Sequence, residues 1–130
     1  LDHVVAEQFF INMEHSTQDV VEQQVALSAL AGVICRERGV RFERVAVSSW
    51  RAGVLGVTRA PNDLPKHRKS DWLKQRAVAF CRDKGWPIDK IDQKVAHNAA
   101  EAMCLCEFIR QRDDRAYQVA STPLFAGMQP

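Results

Sequence analysis

The helix pattern that follows Ser16 constrains the fold of this chain most. Ser16 and Asp19 stand at the spacing of a capping box, apolar residues then recur at helical intervals, and two arginines precede Gly39. The stretch is rich in Ala, Ser and Gly, which allow a sheet or another helix to approach closely. The sequence therefore predicts a helix of about five to six turns that packs tightly on a neighbour.

Strand-like runs lie on both sides of this helix. The run HVVAEQFF at 3–10 fits a strand buried on both faces, and the run at 44–50 fits a second strand. Because strands alternate with helices, we expect an α/β fold with these strands parallel. Two strands alone make a poor sheet. Either further strands are unrecognised, the chain is a piece of a larger domain, or a partner supplies the rest.

Two more helices are expected in the second half of the chain. Ser70 is placed to cap a helix that ends at Gly85, and a later helix is expected to begin near Asn98 and to reach about Arg112. The segment beyond is weakly patterned and contains Pro123. We therefore predict a domain over 1–112 and a weakly structured tail over 113–130.

Composition excludes several classes of protein. With 130 residues, 46% of them apolar and 26% charged, the chain fits one ordinary domain and no collagen-like, disordered or disulfide-scaffold class. The uncharged stretch at 23–35 has thirteen residues, fewer than the about 20 that a bilayer span needs. No leader-like pattern opens the chain, so a cytoplasmic protein without a membrane partner is expected. The four cysteines lack paired spacing and are expected to be free thiols.

Positive charge is concentrated in the middle of the chain. Residues 59–84 hold eight basic and three acidic side chains, a net charge of +5, whereas the segments before and after carry −2 and −1. The basic residues at 66–69 stand beside Pro61 and Pro65, which predicts an exposed basic loop. Such a loop either grips phosphates or is solvated without a partner.

Two acidic residues are candidates for chemistry. Glu7 lies in an apolar strand, where an ionised carboxylate is costly unless a cation or hydrogen bonds compensate it; the alternative is an edge strand from which Glu7 points to water. Asn98 and Glu101 fit a helix cap, or project together from one helix face. If that face lies beside Glu7, the oxygen donors suit Mg²⁺ or Mn²⁺.

The motifs and their order resemble a known nuclease family. VVAEQFF, VALSALAG, VAVSSWRAGVLG, a basic stretch and HNAAEAMCLCEF follow one another over residues 3–110, as in the RuvC-type Holliday junction resolvases of bacteria and phages, members of the RNase H-like superfamily. The resemblance implies an RNase H-like fold, a central sheet flanked by helices. It implies magnesium-dependent endonuclease activity on four-way DNA junctions in recombination and repair. A homodimer is usual in the family, and the helix at 19–38 is then the expected place of contact.

The resemblance also implies roles for individual residues. Glu7 and Glu101 are expected to hold two Mg²⁺ (or Mn²⁺) ions roughly 4 Å apart, with His97 or Asn98 as a further ligand or water-positioning group. Trp50 and Trp72 either stack on an unpaired base or belong to the core. The side chains expected to contact phosphates are Arg51, Arg59, Lys66, His67, Arg68, Lys69 and Lys74.

Two departures from the family leave two functions open. The family begins with a strand that carries a metal-binding Asp, and Asp2 is in the wrong place to replace it. Ala96 stands where relatives often have an acid, so one carboxylate is missing. The chain is then either a structure-selective endonuclease with an impaired or incomplete site, or a non-catalytic RNase H-like module that grips nucleic acid or serves in assembly.

Overall fold

The computed structural model of the protein describes residues 2–8 and 17–121, with side chains up to residue 118. Three features of the sequence analysis lie outside these residues: the expected cap at Ser16, the end of the first strand at 9–10, and the chain end from 122 onward. The chain divides into two compact units, Leu1–Ser49 and Trp50–Pro130. The expectation of one domain over 1–112 stays a prediction.

The first unit is a strand–helix–strand arrangement. Strand β1 (His3–Gln8) pairs in parallel with β2 (Arg41–Ala46), and helix α1 (Gln18–Glu37) connects them. The parallel pairing and the helix confirm the prediction. The second strand was expected over 44–50 but ends at Ala46, because residues 47–50 are helical. The expectation that the first strand is buried on both faces is wrong, since none of its residues is fully buried.

Close packing of α1 on β2 depends on small residues. A Cβ added to Gly32 would lie 3.5 Å from the Phe42 ring, which is ordinary contact distance, so the helix approaches the strand closely here. The Arg44 Nε donates a hydrogen bond of 2.8 Å to the Ser28 Oγ. These contacts confirm the close approach that the Ala, Ser and Gly content of α1 predicts.

Glycines end two helices as the sequence predicts. Gly39 has φ +65°, and the amides of Gly39 and Val40 donate to the carbonyls of Arg36 and Cys35 at 3.2 and 2.8 Å. This is the Schellman arrangement, which needs a left-handed residue that glycine adopts without strain. Gly85, with φ +70°, ends the helix before it in the same way.

The outer face of α1 is apolar and exposed. Among the residues described in the first unit, only Cys35 and Val45 are fully buried. The remaining apolar side chains of α1 give this helix an uncovered apolar surface, which is uncommon for a helix without a partner. Six large apolar side chains of α1 are more than two-fifths exposed: Val20, Val25, Leu27, Leu30, Val33 and Ile34.

The second unit is helical. Helix α2 (Val47–Trp50) lies at the boundary and continues as a π-helical turn (Arg51–Leu55). Helix α3 (Lys66–Asp83) is followed by a 3₁₀ turn (Ile88–Lys90), α4 (Gln93–Asp113) and α5 (Arg115–Ser121). Helix α5 lies in the segment expected to be weakly structured. None of the helices within 17–121 combines the length and the apolar character that a bilayer span requires.

Helices α3 and α4 meet along a seam of small side chains. Ala77 and Cys81 on α3, and Ala100 and Cys104 on α4, have no solvent exposure. The Cys81 thiol donates to the Ala100 carbonyl at 3.7 Å. Burial, with the neighbouring Cys81, raises the pKa of Cys104 to about 12. Both thiols are therefore protonated at neutral pH and act as small apolar residues.

The starts of α3 and α4 differ from the sequence predictions. Helix α3 begins at Lys66, directly after Pro65, rather than at Ser70, so residues 66–69 form a helical turn and not a loop. Helix α4 begins at Gln93, where the Asp92 side chain accepts the Lys94 amide at 2.9 Å. Asn98 is thus in the second turn of α4 and caps nothing. The capping interpretation of Asn98 and Glu101 is wrong.

Candidate nucleic-acid interface

The first turn of α3 is basic. Lys66, His67 and Arg68 are exposed and Lys69 is half-buried, and no acidic residue lies in this turn; we call residues 66–69 the basic turn. The amino end of a helix carries partial positive charge, which disfavours cations by about 0.3–1 kcal/mol each. The basic turn is therefore unfavourable for the helix alone and suits a bound polyanion.

The cations in and around the basic turn are unpaired. Within the part of the chain that the structure describes, no Lys or Arg between residues 59 and 74 forms an ion pair, and Arg59 is exposed. No direct ion pair therefore neutralises these cations, and with Asp63 and Asp71 the stretch 59–74 has five basic and two acidic side chains, a net charge of +3. Three basic residues further along pair with carboxylates: Arg82 with Asp89, Lys84 with Glu107, and Arg112 with Asp113.

A groove lies between α3, the 3₁₀ turn and α4. It has a volume of about 550 Å³ and is lined by Lys74, Asp71, Ala96 and His97, among others. The structure thus brings together one predicted phosphate contact, one predicted catalytic residue and the position of the missing acid. Lys74 is half-buried and is one of the residues that line this groove.

The two tryptophans considered for base stacking differ in burial. Trp50 is 1% exposed, so it belongs to the core and cannot stack on a base. Trp72 is half-buried, and the Arg76 guanidinium lies 5.5 Å from its ring centroid. Stacking of a base on Trp72, one turn beyond the basic turn, stays a prediction.

Arg51 is held by Glu101. The Arg51 Nη2 donates to the Glu101 Oε1 at 3.0 Å, with side chains 18% and 19% exposed. The Arg51 guanidinium also lies 5.2 Å from the Trp50 ring centroid. Arg51 was expected to contact phosphates, but in this structure its charge is already neutralised. Fifty residues separate the two partners, and no local sequence signal indicates this pair.

Two hydrogen-bond donors at the Arg51–Glu101 pair, one of them on the adjacent Trp50, have no partner. The Arg51 Nε and the Trp50 Nε1 are buried and have no hydrogen-bond partner. A buried unsatisfied donor costs about 1–3 kcal/mol. The guanidinium thus makes a single bond to Glu101 rather than the two parallel bonds of its strongest carboxylate geometry.

The remaining predicted residues on α4 lie near Glu101. His97, one turn before Glu101, is half-buried, as is Glu101 itself, whereas Asn98 is exposed. Residues four apart in a helix share a face, so His97 and Glu101 are neighbours on α4. Asn98 lies towards solvent beside them.

Glu7 is the next-to-last residue of β1 and is exposed. Glu7 belongs to the first unit and Glu101 to the second. That the two carboxylates meet at one ion stays a prediction.

The donors of the described residues do not by themselves fit a two-metal site. No group of three or more His, Cys, Asp or Glu side chains in these parts of the chain is arranged to hold a metal ion. The Glu101 carboxylate is compensated by Arg51, so it does not need a metal ion for charge balance. The expected Mg²⁺ or Mn²⁺ site takes Glu7 from the first unit and Glu101 from the second, and it stays a prediction.

One acidic residue that the sequence interpretation missed is buried in α4. Glu107 is 2% exposed and accepts hydrogen bonds from the Tyr117 hydroxyl and, at 3.0 Å, from the Gln111 amide, with Lys84 at 3.6 Å. Burial raises the pKa of Glu107, but these partners outweigh it and hold the pKa below its usual value. Glu107 is thus a structural carboxylate. The spacing of four residues to Gln111 is the only local signal for it.

Comparisons with protein-family models, with curated proteins and with solved structures find no match to this chain. The resemblance to RuvC-type resolvases therefore depends on the motifs alone. The fold seen here is mixed α/β, mostly helical, with a parallel pair of strands.

Proposed function

We propose that this chain is the DNA-binding part of a structure-selective endonuclease that acts on branched DNA, and that as it stands it binds such DNA better than it cuts it. The main support for the proposal is that the cations of residues 59–74, including the basic turn, make no ion pair and give this stretch a net charge of +3. Cations that the fold leaves unpaired, at a helix end where they are unfavourable, are explained by a polyanionic ligand.

DNA phosphates suit this surface. Helix α3 has eighteen residues and is about 27 Å long, while duplex DNA carries one negative charge per about 1.7 Å of its axis. Several phosphates therefore fit along the helix. Contacts of this kind fix the position of a duplex without reading its sequence, which suits recognition of branched shape. Together with the resemblance to junction resolvases, this favours a four-way junction as the partner.

Removal of two cations from the basic turn is expected to weaken junction binding. For Lys66→Gln with Arg68→Gln, we expect an affinity loss on the order of tenfold and a salt dependence flatter by about two units in the log–log slope. Fluorescence anisotropy with a labelled four-way junction at several salt concentrations measures both.

The matched control removes two cations elsewhere. Arg36→Gln with Arg38→Gln changes net charge equally, at the carboxyl end of α1, and is expected to leave junction binding nearly unchanged. The basic-turn variant should unfold at the same temperature as the wild type or a higher one, because cations disfavour that helix end. Equal losses of binding in both variants contradict the proposal.

Cleavage is expected to be weak or absent. Ala96 supplies no carboxylate where relatives often have an acid, and the Glu101 carboxylate is paired with Arg51. A labelled four-way junction in Mg²⁺ or Mn²⁺ tests this with the wild type, Ala96→Asp and Glu101→Gln. Gain of cleavage in Ala96→Asp supports an impaired nuclease. Efficient cleavage by the wild type, unchanged in Glu101→Gln, contradicts the proposed site.

A non-catalytic binding or assembly module is the second candidate. The Arg51–Glu101 pair favours it, because the guanidinium at 3.0 Å already compensates the carboxylate that a nuclease would use to bind metal. Junction binding that remains salt-sensitive, together with no cleavage by the wild type or by Ala96→Asp, supports this candidate over the nuclease.

We propose a second copy of the chain as the protein partner, contacting α1. Val20, Leu27, Leu30 and Ile34 follow one another at intervals of seven, three and four residues, which is the spacing of a two-helix seam. They are 43%, 68%, 56% and 42% exposed. An apolar stripe of this spacing is stabilised when it packs against an identical stripe.

Disruption of the stripe is expected to yield a monomer. For Leu27→Glu we expect the mass in solution to fall from that of a dimer to 14.7 kDa, because the change places a charge in the centre of the stripe. Multi-angle light scattering after size exclusion measures this. Val95→Glu is the control, since Val95 is 49% exposed but lies on α4. A monomeric wild type rules out the dimer.

A further inference from the structure

The Arg51–Glu101 pair has features of a contact that is made in one state and released in another. It consists of one hydrogen bond of 3.0 Å, and the Nε of the same guanidinium is buried without a partner. A permanent Arg–carboxylate pair gains most from two parallel bonds. This pair leaves one strong donor unsatisfied.

The position of the pair is intermediate between surface and core. Each side chain is just under one-fifth exposed. Fully exposed pairs contribute little, and the breaking of fully buried pairs is strongly destabilising. Here each side chain keeps some exposure to solvent, and the partial burial strengthens the charge–charge contact. The Arg51–Glu101 ion pair can therefore be broken at a moderate cost in free energy.

The backbone at Arg51 is held by packing, so a change of partner involves only the Arg51 side chain. The π-helical turn packs on α4 at Gly53, where an added Cβ would lie 2.8 Å from the Phe108 ring. Leu55 in the same turn is buried. The Trp50 ring supports one face of the guanidinium. Single π-helical turns of this kind are frequent at functional sites.

We propose that Arg51 exchanges partners when DNA binds: its guanidinium leaves Glu101 and donates to a backbone phosphate, and Glu101 becomes an unpaired carboxylate only in the DNA-bound protein. This inference rests on the proposed DNA binding and adds to it a switch at one named pair. Once the Arg51 side chain has moved away from Glu101 and exposed its buried Nε, a phosphate can accept from Nε and Nη2 together, which satisfies the donor that Glu101 leaves unused.

The consequence is a coupling between DNA and Glu101. In the free protein, Glu101 competes with phosphate for Arg51 and lowers DNA affinity. When phosphate holds Arg51, the carboxylate on the same α4 face as His97 is negatively charged without a counter-charge. Any change that takes the Glu101 carboxylate out of reach of Arg51 should therefore strengthen DNA binding, provided that Arg51 is present.

Glu101→Asp tests this exchange most sharply. The shorter side chain keeps the negative charge but draws the carboxylate away from Arg51. Junction affinity is measured by fluorescence anisotropy in EDTA, without divalent ions. We expect Glu101→Asp and Glu101→Gln each to bind about fivefold more tightly than the wild type, and Arg51→Gln about tenfold more weakly.

A double variant separates exchange from simple charge removal. Glu101→Gln in the Arg51→Gln background is expected to add no affinity. Asp63→Asn, which removes an exposed acid near the basic turn, is expected to give no fivefold gain. Thermal unfolding of each variant confirms that it is folded. If Glu101→Gln does not fold, Glu101→Asp still tests the exchange.

The outcomes distinguish failure of this inference from failure of the proposed function. A wild type without salt-sensitive junction binding overturns both. Salt-sensitive binding with no gain in either Glu101 variant overturns the exchange alone and makes the pair a fixed structural contact. A gain that persists without Arg51, or that Asp63→Asn reproduces, also overturns the exchange, because general charge then explains it.

Discussion

Trp50→Ala is expected to lower the free energy of unfolding by about 3–5 kcal/mol. Trp50 is 1% exposed and is one of the largest fully buried side chains in the described chain. Its loss removes apolar area and leaves a cavity that the π-helical turn cannot fill, because Gly53 already touches the Phe108 ring. Chemical denaturation followed by circular dichroism measures the change in unfolding free energy.

Trp50→Phe is the control for this prediction. Phenylalanine keeps most of the ring volume and removes the buried Nε1 that has no hydrogen-bond partner. The smaller cavity cost, on the order of 1 kcal/mol, and the relief of an unsatisfied donor largely offset each other. We expect stability close to that of the wild type. A Trp50→Ala variant as stable as the wild type would show that Trp50 is not a core residue.

Glu107→Gln is expected to destabilise the protein by about 2 kcal/mol at pH 7. Glu107 is almost fully buried, and its carboxylate accepts from Tyr117 and Gln111 while facing Lys84. All three partners contact the same oxygen, Oε1, so an amide can still accept from them but loses the negative charge that strengthens these hydrogen bonds and attracts Lys84. Thermal and chemical unfolding of the variant at pH 7 measure the loss.

The loss should depend on pH in a defined direction. Burial acts to raise the pKa of Glu107, but its hydrogen bonds and Lys84 together lower it below the ordinary 4.5. The stabilisation is therefore complete above about pH 4.5 and is lost as the pH falls through the lowered native pKa. The difference between wild type and Glu107→Gln should shrink below pH 4.5. A difference that is constant down to pH 2 would contradict the role of the ionised form.

The first unit shows which features the sequence predicts well. Helix α1 and its end at Gly39 are confirmed because a long periodic pattern and a left-handed glycine are both local signals. The end of the second strand was misplaced, since the run from Val45 to Trp50, which Ser48 and Ser49 interrupt, fits a strand and a helix equally. Packing rather than local preference decides that Trp50 is helical and buried.

The basic stretch shows that sequence patterns do not fix where a turn ends and a helix begins. Pro61 and Pro65 indicate a turn, and the sequence interpretation extended that turn to Lys69. Pro65 instead directly precedes the helix, where its fixed φ suits the entry into the first turn. The charges at residues 66–69 were recognised as a candidate surface, but their placement on a helix end, which disfavours cations, was not.

The candidate site could be predicted only in part. Glu101 and Arg51 were both singled out, one as a metal ligand and the other as a phosphate contact, but not as partners of one another. The 3.0 Å contact joins residues fifty positions apart, and single-sequence patterns carry no information on such pairs. Glu107 was missed because a charged residue in an amphipathic helix is normally placed on its solvent face.

The seam between α3 and α4 limits how this protein can vary. Alanine and cysteine at its four buried positions set the distance between the two helix axes, and no larger side chain fits without separating them. Helix α4 carries Glu101, while the cations lie on α3. Sequence changes that widen this seam would therefore shift a carboxylate relative to a cationic surface, whereas exchanges among exposed lysines and arginines leave that geometry intact.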